Sequence, residues 1–246
     1  MSLADKYTTL TTDKIPKVYE AGQKSEYDKF WDGFQTNGER TNYTYAFAYG
    51  WSKDAFKPKY NITPTSTYSM FMMSKIECDL PAYLEEIGVN IDFTTATATD
   101  ATANLFRGAK FTRVGVISTT MVSALGTMFW GATKLVTIDK LILKEDGSQT
   151  HNANNFNSCG ALANLTIEGV IGKNNFDIHW STKLSGESIV SVIEALSSTT
   201  SGLSVTLSQT AVDNMVFPIT SAQTDVTYNS WSELENTKTN WTISLA

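Results

Sequence analysis

Residues 156–167 read Phe-Asn-Ser-Cys-Gly-Ala-Leu-Ala-Asn-Leu-Thr-Ile, a Phe three residues before a small residue, followed by spaced apolar residues. The same spacing recurs in Phe-Trp-Gly-Ala at 129–132 and in Phe-Arg-Gly-Ala at 106–109, with a period of about 23 to 27 residues. A period of this size is typical of a solenoid, in which one coil buries its apolar face only against the next coil. The repeat therefore predicts a scaffold or binding protein.

The repeated positions predict the core of this solenoid. Each repeat contributes its Phe, its small residue and the apolar residues that follow at regular spacing. The predicted core residues are Phe106, Ala109, Phe129, Ala132, Leu135, Ile138, Phe156, Cys159, Leu162, Leu165 and Ile167. Cys159 takes the place that Ala has in the other two repeats, so we interpret it as a small buried thiol. Together with Cys78 it makes two cysteines, too few for a disulfide framework.

Segments on both sides of the repeats are predicted to close the solenoid. A helix from about residue 16 to 34 carries several aromatic residues, and we interpret it either as a cap over the first coil or as a helix for homo-oligomer assembly. Shorter helices are predicted at 80–87, after Ser185 and around Trp231, and strands at 174–181, 203–207 and 241–245. The expected fold is an α/β repeat with one strand per coil, divided into an N-terminal cap at 1–66, the solenoid at 67–210 and a C-terminal cap at 211–246.

Aromatic residues alternate strictly between residues 43 and 51. Tyr43, Tyr45, Phe47, Tyr49 and Trp51 predict a strand that carries five rings on one face. Such a face stacks on sugar rings or on a protein partner if it is exposed, and it forms core if it packs under the N-terminal helix. The core interpretation is favoured, because large exposed aromatic stripes are rare on soluble monomers.

Outward-facing side chains of the repeat sheet are the candidate binding residues. Alternate residues of a strand project to the same side at fixed spacing, so a row of strands presents a rigid surface that binds with little ordering cost. The candidates between the core positions are Thr137, Asp139, Thr166, Glu168 and Asp177, and the aromatic segment adds Tyr45 and Tyr49.

Composition and motifs exclude several classes of function. The formal charge of −6 without a dense basic cluster argues against a nucleic-acid partner. No apolar run approaches the roughly 18 residues of a membrane span, so membrane insertion is not expected. His151, interpreted as a solvated loop residue, and His179, interpreted as a partly exposed strand residue, lack metal-ligand spacing. No nucleophile elbow, phosphate-binding loop or dinucleotide fingerprint occurs. The sequence thus predicts a protein with no catalytic residues, metal or cofactor.

The order Phe-x-x-Cys-x-x-Leu-x-x-Leu-x-Ile at 156–167 resembles the BspA-like class of leucine-rich repeats. The second repeat matches at Phe129, Ala132, Leu135 and Ile138, while the first is one residue short, with Phe111 just before the expected Leu position. The resemblance covers roughly residues 89–207. The flanks at 17–22, 26–32, 184–189 and 238–243 are similar to repeat-containing structural proteins of phages and prophages of gut Gram-positive bacteria. The resemblance implies a curved stack with a strand per coil and a role in protein or surface binding.

The expected function is therefore non-enzymatic: a rigid repeat surface that recognises a protein or a cell-surface glycan, as in a virion or tail component. A secreted cell-surface adhesin and a carbohydrate-active or lectin-like domain are the alternatives. The first residues, Met-Ser-Leu-Ala-Asp-Lys, lack the charged start and apolar run of a secretory signal. The virion or cytoplasm fits a chain without a signal, and the cell surface fits one whose signal was trimmed, so localisation stays open.

Overall fold

The structure, a computed structural model, describes residues 42–98 and 101–246. Its helices are α1 (Leu80–Glu86), α2 (Gly186–Ala195), α3 (Gln209–Asp213) and α4 (Trp231–Glu235), the last followed by a 3-10 turn at Asn236–Lys238. Its strands are β1 (Arg113–Ser118), β2 (Thr137–Ile142), β3 (Asn164–Glu168), β4 (Phe176–Asp177), β5 (Leu203–Leu207), β6 (Ile219–Thr220), β7 (Thr227–Tyr228) and β8 (Trp241–Leu245). The predicted short helices and the strands at 203–207 and 241–245 are confirmed, but of the strand predicted at 174–181 only residues 176–177 are a strand. The predicted helix at 16–34 lies outside the described residues.

The strands form two parallel sheets and one hairpin. The first sheet has the order β1-β2-β3 and the second the order β4-β5-β8, while β6 and β7 pair antiparallel. In the first sheet Val114 lies beside Ile138, which lies beside Leu165, so equivalent positions of the repeats are neighbours. Parallel strands need a crossover connection, and in the first sheet both crossovers contain one copy of the Phe-x-x-small motif.

The phenylalanines of the repeats stack on one another in the core. The rings of Phe71 and Phe106 lie 5.8 Å apart and are inclined by 5°, those of Phe106 and Phe129 lie 5.9 Å apart at 9°, and those of Phe129 and Phe156 lie 5.4 Å apart at 16°. Phe47 continues the column at 5.3 Å from Phe71. All of these rings are buried, as are all eleven predicted core residues.

Five segments, which we call the Phe segments, share one turn conformation: 47–50, 71–74, 106–109, 129–132 and 156–159. The third residue has a positive φ in every one, at Tyr49 (50°), Met73 (57°), Gly108 (64°), Gly131 (74°) and Ser158 (63°). In the last four segments the N–H of the fourth residue donates to the Phe carbonyl over 2.9–3.1 Å. The fourth residue is small and buried in those four, which explains the Phe-x-x-small spacing.

Main-chain hydrogen bonds join each Phe segment to the next. Tyr43, Tyr45, Phe47 and Tyr49 donate their N–H groups to residues 66, 68, 70 and 72, over distances of 2.8–3.1 Å. The N–H groups of Thr67, Ser69, Phe71 and Met73 donate in the same way to residues 101, 103, 105 and 107. The residues in between, such as Ala46, donate back within their own turn. In both stretches every second residue therefore donates its N–H to the following stretch, and the direction reverses only after them, where the N–H of Lys75 donates to the carbonyl of Trp51.

The strand predicted between residues 43 and 51 is wrong, because this stretch is a series of turns. Tyr43, Phe47 and Trp51 are buried, but Tyr45 and Tyr49 have φ values of 55° and 50° and turn their side chains outward. An extended strand would have kept all five rings on one side. The alternation in the sequence instead reflects the alternation of main-chain bonding.

The free edge of β3 is covered by serines of α2. The N–H groups of Leu165 and Ile167 donate to the hydroxyl oxygens of Ser188 and Ser191, each over 2.8 Å. The helix begins at Ser185, whose hydroxyl accepts from the N–H of Ser188. A helix thus takes the place of a further strand, and its hydroxyl groups satisfy the strand donors that would otherwise be buried without a partner.

Candidate functional site

Most of the candidate binding residues on the first sheet are engaged with side chains of the neighbouring strands. Asp139 accepts two hydrogen bonds from the Arg113 guanidinium, over 2.7 and 2.9 Å, and the first of these contacts raises the pKa of Arg113. Glu168 pairs with Lys140 at 2.7 Å, and Thr137 accepts from the amide of Asn164 at 3.2 Å. These are cross-strand pairs that stabilise a sheet. A polar ligand would have to displace them.

Thr166 stands apart from these pairs. It borders a groove of about 270 Å³ between β3, α2 and residues 221–223, where Ser185, Glu187 and Gln223 also lie. The amide of Gln223 crosses this groove to donate to the carbonyl of Ile167. Thr166 is thus half-buried next to residues that hold the sheet edge, and it does not join the other candidates in one site.

Asp177 belongs to a different arrangement, at the far end of the Phe column. Its carboxylate lies 2.5 Å from Nδ1 of His179 and also accepts from the His179 N–H. The His179 ring in turn packs against the indole of Trp180, with the ring centroids 4.8 Å apart. Asp177 therefore orients an imidazole, and the imidazole supports the tryptophan.

The third positions of the Phe segments form a line on the surface that we call the turn edge. At its beginning Tyr49 is 46% exposed and Met73 is 52% exposed, and the line then continues through Gly108, Gly131 and Ser158. Trp180 stands at the same spacing after Ile178, and the N–H of Ser181 donates to the Ile178 carbonyl as in a Phe segment, but Trp180 lacks the positive φ of the third positions. The side chains along the turn edge are therefore large at its beginning and small from Gly108 to Ser158, and the Met73 side chain packs against Gly108.

Trp130 and Trp180, the two tryptophans near the turn edge, differ in what covers them. The Arg107 guanidinium lies over the Trp130 ring, 4.3 Å from its centroid, in a cation–π contact. Trp180 is 47% exposed and borders an open groove of about 470 Å³. The groove is lined by Thr133, Ser158, Gly160, Ala161, Trp180 and Lys183. An aromatic face thus stands beside two hydroxyl groups and one ammonium group, and this groove is our candidate site.

Tyr45 and Tyr49, the aromatic candidates, lie at the other end of the turn edge. Tyr45 is half-buried and meets the ring of Tyr68 edge to face at 5.6 Å. The hydroxyl of Tyr49 donates to the sulfur of Met72 over 3.9 Å. Neither residue lines the groove at Trp180.

Trp180 and Lys183 were missed as site residues by reasoning from the sequence. Phe176, Ile178 and Trp180 alternate as in a strand, which suggested that their three side chains lie on the same face. The signal that could have found the site is the similar spacing of Ile178-His-Trp-Ser and a Phe segment, with Ser181 at the small position. This spacing aligns Trp180 with the exposed third positions.

Burial keeps Cys78, Cys159 and His151 in their uncharged forms at neutral pH. Desolvation raises the pKa of Cys159 to about 12 and that of Cys78 to about 11, so both are thiols at neutral pH. His151 is 2% exposed, which overturns its interpretation as a solvated loop residue. Asn174 holds it in place, because its side chain bonds both the N–H and the carbonyl of residue 151.

Within residues 42–98 and 101–246, no group of three His, Cys, Asp or Glu residues is placed to hold a metal ion. No helix of this described part combines the length and the apolar character needed to cross a bilayer. Comparisons with protein families, with curated proteins and with solved structures gave no match to the chain.

Proposed function

We propose that this chain is a non-enzymatic recognition module that binds a surface saccharide in the groove at Trp180. The observation that carries the proposal is a half-exposed indole, supported from behind by His179 and Asp177, beside the hydroxyl groups of Thr133 and Ser158. The apolar face of a pyranose ring packs on an aromatic face, and its hydroxyl groups need donors and acceptors around the rim. Sites of this kind combine apolar surface with a few placed polar groups.

The scaffold we propose is a short solenoid like that of the BspA-like leucine-rich repeats. The parallel register of β1, β2 and β3, the column of five phenylalanines and the repeated turn conformation support it. On such a scaffold the groove residues come from successive repeats held together by main-chain bonds. The site would then be preorganised, which lowers the entropy lost on binding.

Binding without hydrolysis fits the groove better than glycosidase chemistry does. Glycoside hydrolysis requires two carboxyl groups that flank the scissile bond. The described residues that line the groove include no Asp or Glu, and the carboxylate nearest in the supporting chain, Asp177, is engaged with His179. A role in a phage virion or tail, or on a bacterial surface, follows from the resemblance of the flanking sequences and is part of the same proposal.

The first test is a glycan array probed with the labelled chain, followed by calorimetric titration with the best soluble saccharide. Replacing Trp180 by Ala removes the platform, and we expect affinity to fall at least about tenfold, since buried Trp contacts are typical binding hot spots. Trp180→Phe retains an aromatic face and should keep part of the affinity. Tyr60→Ala is the matched control, because Tyr60 is 61% exposed but lies outside the groove.

Two results would contradict the proposal. One is a wild-type chain that binds no saccharide on the array. The other is a saccharide bound equally by wild type and Trp180→Ala, which would move the site elsewhere. Asp139→Ala tests the sheet surface in the same assay, and an effect of this variant larger than that of Trp180→Ala would favour the first sheet as the binding surface. Circular dichroism of each variant establishes that it is folded.

A further inference from the structure

Strand β8 lies at one edge of the second parallel sheet, and no described strand pairs with its outer side. In the order β4-β5-β8 it pairs with β5 alone among the described strands. Its five residues, Trp-Thr-Ile-Ser-Leu at 241–245, include no charged residue, Pro or Gly. Natural proteins usually protect an edge of this kind with a charge, a Pro, a bulge or a covering segment.

The first sheet is covered at both of its edges. Ser188 and Ser191 of α2 bond the outer donors of β3, and α1 lies beside β1, where Asp79 bridges to Arg113. The second sheet has no such cover at β8 within the described residues. Along β8 the side chains of Trp241 and Ile243 pack against the core, whereas Thr242 is exposed and Leu245 is 37% exposed. The contrast singles out β8 as a surface for strand addition.

We infer that β8 pairs with β8 of a second copy of this chain, antiparallel about a two-fold axis at Ile243. The main chain selects this register. The N–H and C=O of Ala246 both bond toward β5, to Leu207 and Gln209. Since strand residues alternate in direction, Trp241, Ile243 and Leu245 direct their main-chain groups away from β5. An axis at Ile243 makes these three residues the hydrogen-bonded pairs, each exchanging both N–H···O=C bonds.

The side chains are compatible with the same register. Trp241 faces Leu245 of the other copy, Thr242 faces Ser244, and Ile243 faces itself. Apolar residues thus meet apolar residues, a hydroxyl meets a hydroxyl, and no like charges are opposed, which suits cross-strand pairing. The paired sheet would run through both copies as β4-β5-β8-β8-β5-β4. This assembly does not depend on saccharide binding, because the Trp180 groove contains no residue of β8.

The test uses sedimentation velocity over a wide range of concentration, with charges introduced at the axis. Ile243→Lys places two ammonium groups directly opposite each other, and Ile243→Glu places two carboxylates there. We expect each variant alone to dissociate at least about tenfold more readily than wild type, because opposed like charges destabilise a strand pair. An equimolar mixture of the two should associate again, since only the mixed pair brings opposite charges together. Val216→Lys, at an 82% exposed apolar residue outside β8, is the control and should behave as wild type.

Each other outcome overturns the inference in a defined way. A wild-type chain that stays monomeric at all concentrations excludes a second copy and leaves a strand of another protein as the occupant. A dimer that survives Ile243→Lys forms elsewhere on the chain. Variants that dissociate but do not associate when mixed contradict the two-fold axis at Ile243. Thermal melting of each variant keeps a loss of folding from being read as a loss of pairing.

Discussion

Burial of His151 should make the stability of this chain sensitive to mild acid. The imidazole is 2% exposed, neither ring nitrogen has a hydrogen-bond partner among the described residues, and its ring meets Phe176 edge to face at 5.5 Å. Desolvation lowers the pKa of His151 from 6.5 to about 4. A protonated imidazole in this position would be a buried charge without a partner, so the folded state holds the ring neutral.

The sign and size of the effect follow from proton linkage. Between about pH 6.5 and 4 the unfolded chain binds a proton at His151 and the folded chain does not. The free energy of unfolding therefore decreases as the pH falls through this window. Above about pH 6.5 His151 is neutral in both states and causes no such loss of stability. From pH 8 to pH 5 the loss due to this residue is about 2 kcal/mol, and over the whole window it approaches about 3 kcal/mol.

Urea unfolding of wild type and His151→Phe at pH 8 and pH 5 measures this contribution. Phe keeps an aromatic ring against Phe176 and cannot take up a proton. We expect the difference between the two pH values to be about 2 kcal/mol smaller in the variant, whatever the variant does to stability at pH 8. Equal losses in both proteins would refute the reasoning, as would a proton NMR titration of His151 in the folded chain with a midpoint near 6.5.

Two further predictions concern the main chain. Gly169 has a φ of 93°, and an added Cβ would overlap the carbonyl of Leu143, so Gly169→Ala should lower the free energy of unfolding by about 1–3 kcal/mol more than Gly50→Ala, where φ is also positive but the space is open. Urea denaturation of both variants measures this difference, and an equal loss of stability in the two would mean that the backbone near residue 143 shifts to make room for the added Cβ. Ser188→Ala and Ser191→Ala should each cost about 1–3 kcal/mol and speed amide exchange in β3, because each removes the acceptor of a buried N–H. Unchanged exchange would show that α2 does not protect this edge.

The repeat itself was readable because its chemistry is local. A turn with a positive φ at its third position favours Gly, and a buried fourth position admits only a small residue. Gly108 and Gly131 at the third position, and Ala109 and Ala132 at the fourth, therefore make the motif visible in the sequence. The strands β5 and β8 alternate simply and were also predicted. These elements depend on backbone geometry and burial, which leave regular traces in a sequence.

The earlier Phe segments were obscured by competing patterns. In 47–50 the third residue is Tyr49, and in 71–74 it is Met73, so the expected Gly is replaced by a large residue that nevertheless adopts a positive φ. The alternating aromatic rings then imitate a strand, because bonding of every second residue has the same period as an extended chain. The spacing to the next segment also lengthens where α1 is inserted.

The candidate site could be predicted only in part. Asp177 was identified, but its role as a support for His179 depends on a side-chain contact that the sequence does not encode. Asp139 and Glu168 were expected to face a ligand, and their cross-strand partners Arg113 and Lys140 come from strands 26 and 28 residues away. Pairing between neighbouring repeats depends on register, and register was uncertain where the first repeat is one residue short.

Because the main-chain hydrogen bonds between Phe segments all run in one direction, the segments act as interchangeable units. Each of the first four Phe segments donates N–H groups to carbonyl oxygens in or beside the segment after it. A whole segment with its connection can therefore be duplicated or deleted without leaving a mismatched donor or acceptor, whereas a reversed segment would set donor against donor. The number of segments can therefore vary, while the direction in which each segment runs is fixed. Evolution or a designer can then change the distance between Tyr49 and Trp180 in steps of one repeat, and with it the size of the object that the turn edge can span.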